Sequence, residues 1–120
     1  MWAPIVRQMP KRPDLGRILA ALAEPTRRSV VERVAMGPAT VSELHAAFRM
    51  ALPSFLQHLD VLADAGLVSS SKSGRVRTVR LAPEALAEVE TWLNQQRDHW
   101  SRKLNQLDAL LVVEQKETEK

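Results

Sequence analysis

The sequence predicts a mainly α-helical fold with a small β-hairpin wing, arranged as a winged helix-turn-helix. Two short segments within residues 40–65 repeat apolar residues at helical spacing. Gly66 follows the second segment, as a glycine commonly does just past a helix end. Two β-prone segments within residues 67–81 then flank Ser73-Gly74, which is a hairpin signal. These signals together predict two helices followed by a two-stranded ribbon.

Composition limits the class of protein. A chain of 120 residues is expected to form one domain with a modest core. No segment approaches the roughly 18 apolar residues of a membrane span, and the proline-broken N-terminus does not resemble a signal peptide. We therefore expect a cytoplasmic protein without a membrane partner. The chain has no cysteine, which excludes disulfides and thiolate metal sites.

Charge is distributed unevenly along the chain. Residues 1–82 hold 12 Lys/Arg and 6 Asp/Glu, whereas residues 83–120 hold 5 Lys/Arg and 8 Asp/Glu, so that the whole chain has a net charge of +3. A basic front and an acidic back indicate a polyanionic partner for the front. The alternative interpretation is an ordinary solvated surface.

The first elements follow from prolines and capping residues. Residues 1–13 contain three prolines and three cations and predict a flexible basic arm, which either touches DNA or is a tail without function. The domain is predicted over residues 14–113. Asp14 is placed to cap a first helix, and Pro25 opens a second one that ends near Gly37.

The helix pair begins with a capping box. Thr40-Val-Ser-Glu43 allows the Thr40 hydroxyl to accept from the Glu43 N–H while the Glu43 carboxylate reaches back to the backbone of Thr40. The second helix of the pair is predicted over residues 53–65. Its inward face is expected to carry Phe55, Leu59 and Leu62.

The hairpin is predicted from residues 67–72 and 75–81, with Ser73-Gly74 as its turn. Lys72, Arg75 and Arg77 cluster on this wing. Arg75 and Arg77 alternate with Val76 and are therefore expected to share one face, with Arg80 on the other.

A last helix is predicted over residues 83–113, about 45 Å long at 1.5 Å per residue, with a charged, frayed tail at 114–120. Apolar residues recur along it every seven residues, which is typical of a helix that pairs with another. We expect its first half to pack on its own domain and its second half to form a homodimer; the alternative is a monomer that folds the helix over itself. The predicted dimerisation residues are Leu86, Leu93, Trp100, Leu104, Leu107 and Leu111.

The order and spacing of several short motifs resemble the ArsR-type winged helix-turn-helix transcriptional repressors, in the branch with a Pro-Thr-Arg-Arg opening and a tryptophan-containing last helix. The resemblance covers about residues 14–112 and implies a dimeric DNA-binding repressor, often released by a metal or another signal. It rests on Leu22-Ala-Glu-Pro-Thr-Arg-Arg28, Thr40-Val-Ser-Glu-Leu44, Leu52-Pro53, His58-Leu59-Asp-Val-Leu62, Ala65-Gly-Leu-Val68, Gly74-Arg-Val-Arg77 and Trp92-Leu93 through Trp100.

Two positions depart from that family. Ala51 and Leu56 stand where the family often has serine, so a helix cap and a hydroxyl able to contact DNA are missing. This permits weaker or altered DNA recognition.

The candidate DNA-binding residues are those predicted to face outward. On the second helix of the pair these are Ser54, Gln57 and His58. Gln57 suits a bidentate contact with adenine, and Ser54 suits a base or a phosphate. His58 either bonds a phosphate or caps local structure. The cations of the wing, Lys72, Arg75 and Arg77, suit phosphates or the minor groove. Arg27 and Arg28 also carry positive charge, but one of them is placed to pair with Glu24 or Glu32.

The sequence predicts neither an enzyme nor a cofactor or metal site. It has no glycine-rich phosphate loop and no cysteine nucleophile. Its histidines stand at positions 45, 58 and 99 on different predicted elements. The adjacent pair Asp98-His99 points about 100° apart on a helix and makes a poor chelate.

The leading hypothesis is a homodimeric transcriptional repressor that binds a palindromic operator in double-stranded DNA. The rival is a protein–protein interaction module that keeps the winged-helix fold with weakened DNA reading, which the Leu56 departure permits. A third possibility is sensing of an apolar small molecule at the dimer interface. The sequence names neither the operator nor the inducer.

Overall fold

The structure is a computed structural model that describes residues 14–118, with side chains through residue 111. The arm predicted over residues 1–13 lies outside the described residues. The elements in chain order are α1 (Leu15–Leu22), α2 (Pro25–Ala35), β1 (Ala39–Thr40), α3 (Val41–His45), α4 (Leu52–Asp64), β2 (Val68–Ser73), β3 (Val76–Leu81) and α5 (Pro83–Thr118). The described residues divide into two units, one ending at Val89 and the other beginning at Glu90.

Three helices begin at residues that the sequence predicts. The Asp14 carboxylate accepts from the N–H of Gly16 at 3.0 Å, and Pro25 occupies the first position of α2. The Thr40 hydroxyl accepts from the N–H of Glu43 at 3.1 Å. The other half of the capping box differs from the expectation. The Glu43 carboxylate accepts from the Thr40 hydroxyl, at 3.1 Å.

The core of the first unit lies between the helices and a small sheet. On α4 the predicted inward residues Phe55, Leu59 and Leu62 are each 0% exposed, so that prediction is confirmed. Burying each such side chain contributes about 1.5–3 kcal/mol. They pack with Ile18 of α1 and Val30 of α2, which are also fully buried.

The sheet has three antiparallel strands in the order β1-β3-β2. The short strand β1 was not predicted; it pairs Ala39 with Val79 and Thr40 with Thr78. The hairpin formed by β2 and β3 was predicted, and its register pairs Ser70 with Val79.

The turn of the hairpin lies one residue later than predicted. Ser73 pairs with Val76, so the two-residue loop is Gly74-Arg75. Gly74 has a φ of 62°, which favours glycine at the first loop position of a tight hairpin. The prediction that Arg75 lies on a strand and shares a face with Arg77 is therefore wrong.

Helix α5 ends at Thr118, beyond the predicted end near residue 113. The segment predicted as a frayed tail is thus helical over residues 114–118. At the start of α5, Ala85 is buried, and Leu86 and Val89 pack partly buried against the core. None of the helices that the structure describes is long and apolar enough to cross a membrane.

One buried polar atom in the sheet makes a testable prediction. The Ser70 hydroxyl is buried, and within residues 14–111 it finds no hydrogen-bond partner. Because an unsatisfied buried hydroxyl destabilises a fold, Ser70→Ala should raise the free energy of unfolding by about 1 kcal/mol. The measurement is urea denaturation. Ser69→Ala, at the neighbouring exposed position, is the control and should change stability little. A destabilised Ser70→Ala variant would show that the hydroxyl is satisfied.

Candidate nucleic-acid interface

Helix α4 has one buried face and one open face. Ser54 and Gln57 are exposed, as predicted, on the side opposite Phe55 and Leu59. Two polar side chains that can both donate and accept hydrogen bonds are thus presented by a helix whose other side is fixed in the core. Such a helix can present them to the edges of bases in a major groove.

The two positions at which this sequence differs from the family it resembles lie away from the open face of α4 or at its edge. Leu56 is half-buried and packs against the core, so its apolar side chain contributes to stability and is not the central group of the open face. Ala51 is the N-cap of α4 and makes no side-chain cap bond. The start of α4 therefore lacks the cap that a serine would supply.

The turn between α3 and α4 is held by His45. Its Nε2 lies 2.8 Å from the carbonyl oxygen of Met50; since a carbonyl only accepts, Nε2 carries the proton and donates. The rings of His45 and Phe48 each lie 5.4 Å from the ring of Phe55. This role of His45 was missed because nothing in the sequence pattern links it to Met50.

His58, also on α4, faces the corner between α1 and α2. Its Nδ1 lies 3.2 Å from Nη1 of Arg27. The same guanidinium donates from Nε to the carbonyl oxygen of Ala21 at 2.7 Å and from Nη2 to that of Ala20 at 3.3 Å. The prediction that His58 faces outward with Ser54 and Gln57 is therefore wrong: its side chain is only 23% exposed and contacts a distant residue of the same chain.

Glu24 completes this corner. Its carboxylate caps α2 by accepting from the N–H of Arg27 at 3.0 Å and lies 3.8 Å from Nδ1 of His58. Desolvation acts to raise the pKa of Glu24, but the backbone hydrogen bond from Arg27 acts in the opposite direction, and the pKa lies below its ordinary value. The carboxylate is therefore ionised at neutral pH. Glu24 therefore bonds the backbone N–H of Arg27, while the guanidinium of Arg27 is directed to the carbonyls of α1 and to His58.

The wing presents its cations in an arrangement that differs from the prediction. Lys72 lies directly opposite Arg77 in the antiparallel register, so their side chains share one face. Lys72 and Arg75 are exposed and Arg77 is half-buried. Arg80 pairs with Ser69 and lies on the other face from Arg77, as predicted. The end of the hairpin is therefore cationic, with Arg75 at its turn.

The second unit carries an apolar row on α5. Five of the six predicted dimerisation residues have exposed side chains, at 48–62% of their surface; these are Leu93, Trp100, Leu104, Leu107 and Leu111. The sixth, Leu86, packs against the core of its own unit. A row of this kind, unburied in a single chain, is available to another protein surface.

Metal ligands do not come together in the part of the chain that the structure describes. There, no group of three or more His, Asp or Glu side chains is placed to hold a metal ion.

Comparison with known proteins identifies the family. A family model described as a helix-turn-helix domain matches residues 22–70. The chain is 38% identical over 108 residues to the HTH-type transcriptional regulator Rv2034 of Mycobacterium tuberculosis, which covers 90% of this chain and 96% of that protein. The crystal structure of an ArsR family transcriptional regulator, RHA00566, has 49% sequence identity and a TM-score of 0.70, and covers 72% of this chain and 96% of that one.

A third similar protein is dimeric. The winged helix-turn-helix DNA-binding domain of a possible ArsR-family regulator from Mycobacterium bovis, described as homodimeric, has 26% identity and a TM-score of 0.55, with 71% of this chain and 82% of that chain covered. The fold, the whole-length relative and the structural neighbours agree: this chain belongs to the ArsR-type winged helix-turn-helix transcriptional regulators.

Proposed function

We propose that this chain is a homodimeric, DNA-binding transcriptional repressor that recognises a palindromic operator and has no catalytic activity. The observation that carries the proposal is the open face of α4, where Ser54 and Gln57 are exposed while the opposite face is fully buried. In the helix-turn-helix plan, the second helix lies in the major groove and its outward side chains contact bases. We call α4 the recognition helix from here on.

Gln57 supplies the sequence reading in this proposal. Its side-chain amide can donate a hydrogen bond to N7 of an adenine and accept one from the N6 amino group of the same base. Ser54, one turn earlier, suits a base edge or a phosphate near the start of the helix. The half-buried position of Leu56 favours DNA reading over the rival protein–protein module, because the departure that suggested the rival does not dominate the open face.

The wing contributes DNA binding that does not depend on the DNA sequence. Lys72 and Arg77 share a face of the hairpin and Arg75 lies at its turn. Three cations at the end of a two-stranded ribbon suit a phosphate backbone or a narrow minor groove. The basic front of the chain adds to this attraction.

Dimerisation places two recognition helices on one duplex. The apolar row of α5 supports a second copy as its partner, and the Mycobacterium bovis relative is described as homodimeric. A two-fold dimer reads two half-sites about one helical turn apart, so the operator is expected to be palindromic. Repression follows simply when a bound dimer occupies the DNA that polymerase needs. A regulator of this kind works in the cytoplasm beside the DNA.

Gln57→Ala tests base reading. The substitution should lower affinity for a selected duplex by about 1–3 kcal/mol and leave binding to scrambled DNA nearly unchanged. Fluorescence anisotropy on both duplexes measures this, with Gln95→Ala, an exposed glutamine on α5, as the matched control. Equal losses on both duplexes would remove Gln57 from base reading.

Salt titration tests the wing. Lys72→Ala, Arg75→Ala and Arg77→Ala should each weaken binding to selected and scrambled duplexes alike. Each lost phosphate contact should also flatten the slope of log K against log salt by about 0.9, doubled when both subunits contribute. Arg80→Ala, on the opposite face of β3, is the control and should matter less. Unchanged slopes for all three variants would contradict a wing grip.

Sedimentation equilibrium tests the dimer. Trp100 is 62% exposed in the single chain, and an aromatic side chain of this size at the centre of an interface makes Trp100→Ala cost about 2–4 kcal/mol of dimer stability. Arg102→Ala, two residues along the same helix and off the apolar row, should leave the dimer intact. A wild-type protein that stays monomeric at micromolar concentration would overturn this part of the proposal.

A further inference from the structure

The corner between α1 and α2 contains two arginines with a shared local task. The last carbonyls of a helix lie beyond the reach of its own N–H groups, and in α1 that of Ala20 also accepts from the N–H of the C-cap residue Ala23 at 3.2 Å. Arg27 donates to those of Ala20 and Ala21, and Arg28 donates through Nη1 to the next two carbonyls, at 3.3 and 3.4 Å. Both arginines therefore complete the end of α1 with charge-assisted hydrogen bonds.

Arg27 also reaches the recognition helix. Its Nη1 lies 3.2 Å from Nδ1 of His58, which is 31 residues away in the sequence. Arginine only donates, so Nδ1 accepts and the ring carries its proton on Nε2. The bonds of Arg28 that the structure describes stay within the α1–α2 corner.

Glu24 fixes the starting point of this contact. Its carboxylate holds the backbone N–H of Arg27 at 3.0 Å and lies 3.8 Å from the imidazole. The distance to the imidazole exceeds a hydrogen bond, so the guanidinium makes the direct link to α4. Glu24, Arg27 and His58 thus connect the α1–α2 corner to one side of the recognition helix.

We infer that Arg27 is a positioning residue for DNA recognition: within the orientation that core packing gives α4, its guanidinium fixes the remaining rotation about the helix axis through His58, and thereby the direction of the neighbouring Gln57. The inference rests on the proposed function. Adjacent helical residues are separated by about 100° around the axis, so any rotation that moves His58 from the guanidinium also turns Gln57 away from its base. The side chain of His58 is only 23% exposed, which suits a contact inside the protein.

Three of the five N–H donors of the Arg27 guanidinium are engaged within the protein. Nε, Nη1 and Nη2 of Arg27 each already face an acceptor of the protein. An arginine that binds the DNA backbone would instead direct these N–H groups to phosphate oxygens. The two roles therefore differ in their salt dependence, because only phosphate contacts release counterions.

The experiment compares Arg27→Ala with Arg28→Ala on the full-length chain. The probe is a duplex that the wild-type protein selects from a random-sequence pool, and the reference is a scrambled duplex of the same composition. We expect both variants to lose thermal stability, because each uncaps α1. Arg27→Ala alone should also lose about tenfold or more in affinity for the selected duplex, with an unchanged salt slope.

A second pair of variants leaves the caps of α1 intact. His58→Asn keeps an acceptor in place of Nδ1 and should retain most of the selective affinity. His58→Leu removes the acceptor and should reproduce the loss of Arg27→Ala. Combining Arg27→Ala with His58→Leu should cost little more than either alone, because the two side chains act as one unit. If Arg27→Ala does not fold, the comparison of His58→Asn with His58→Leu still tests whether the contact between Arg27 and His58 positions α4.

Three outcomes would overturn the inference. A slope flattened by about 0.9 or more for Arg27→Ala would make Arg27 a phosphate contact. Equal affinities for Arg27→Ala and Arg28→Ala, or for His58→Asn and His58→Leu, would leave only the capping role. If the wild-type protein selects no duplex at all, the proposed function itself fails, and the positioning role fails with it.

Discussion

Burial of one face of α4 is the constraint on which the rest of the molecule depends. Phe55, Leu59 and Leu62 are fully enclosed by α1, α2 and the sheet. Turning the helix by one residue would expose them at a cost of about 1.5–3 kcal/mol for each side chain. The open face is consequently settled by the core: whatever binds α4 meets Ser54 and Gln57. Packing of the interior and recognition at the surface are two aspects of one helix.

Burial of apolar side chains sets the approximate orientation of α4, and polar contacts make that orientation more exact. Hydrophobic packing is not directional, whereas hydrogen bonds fix atoms to within a few tenths of an ångström. His45 holds the turn that precedes α4 through its bond to Met50. The Arg27 guanidinium contacts the middle of α4 at His58. The order of Glu24, Pro25 and Arg27 has a local explanation as well, because the carboxylate caps α2, the proline begins it and the arginine completes α1. One short segment thus ends one helix, starts the next and reaches a third.

Sequence patterns reveal elements that are long and periodic, and they miss contacts that are short or distant. The apolar period of α4 predicted its inward face correctly because burial imposes that period. Strand β1 has two residues, Ala39 and Thr40, too few to show alternation. The turn was misplaced by one residue because a glycine with positive φ fits either position of a two-residue loop. The charged residues 114–118 were interpreted as a frayed end although they continue α5. The contact between Arg27 and His58 spans 31 residues, and no local pattern encodes it.

Methylation protection of guanine N7 on a selected duplex shows which turns of the major groove the protein occupies, since this atom lies in that groove. Two recognition helices on a two-fold dimer predict two protected patches about 10 base pairs apart, related by the palindrome. Substituting Gln57 should weaken protection inside both patches and leave the spacing between them unchanged. Protection confined to one patch, or no protection despite tight binding, would contradict the proposal that the two α4 helices of a dimer read the two halves of an operator.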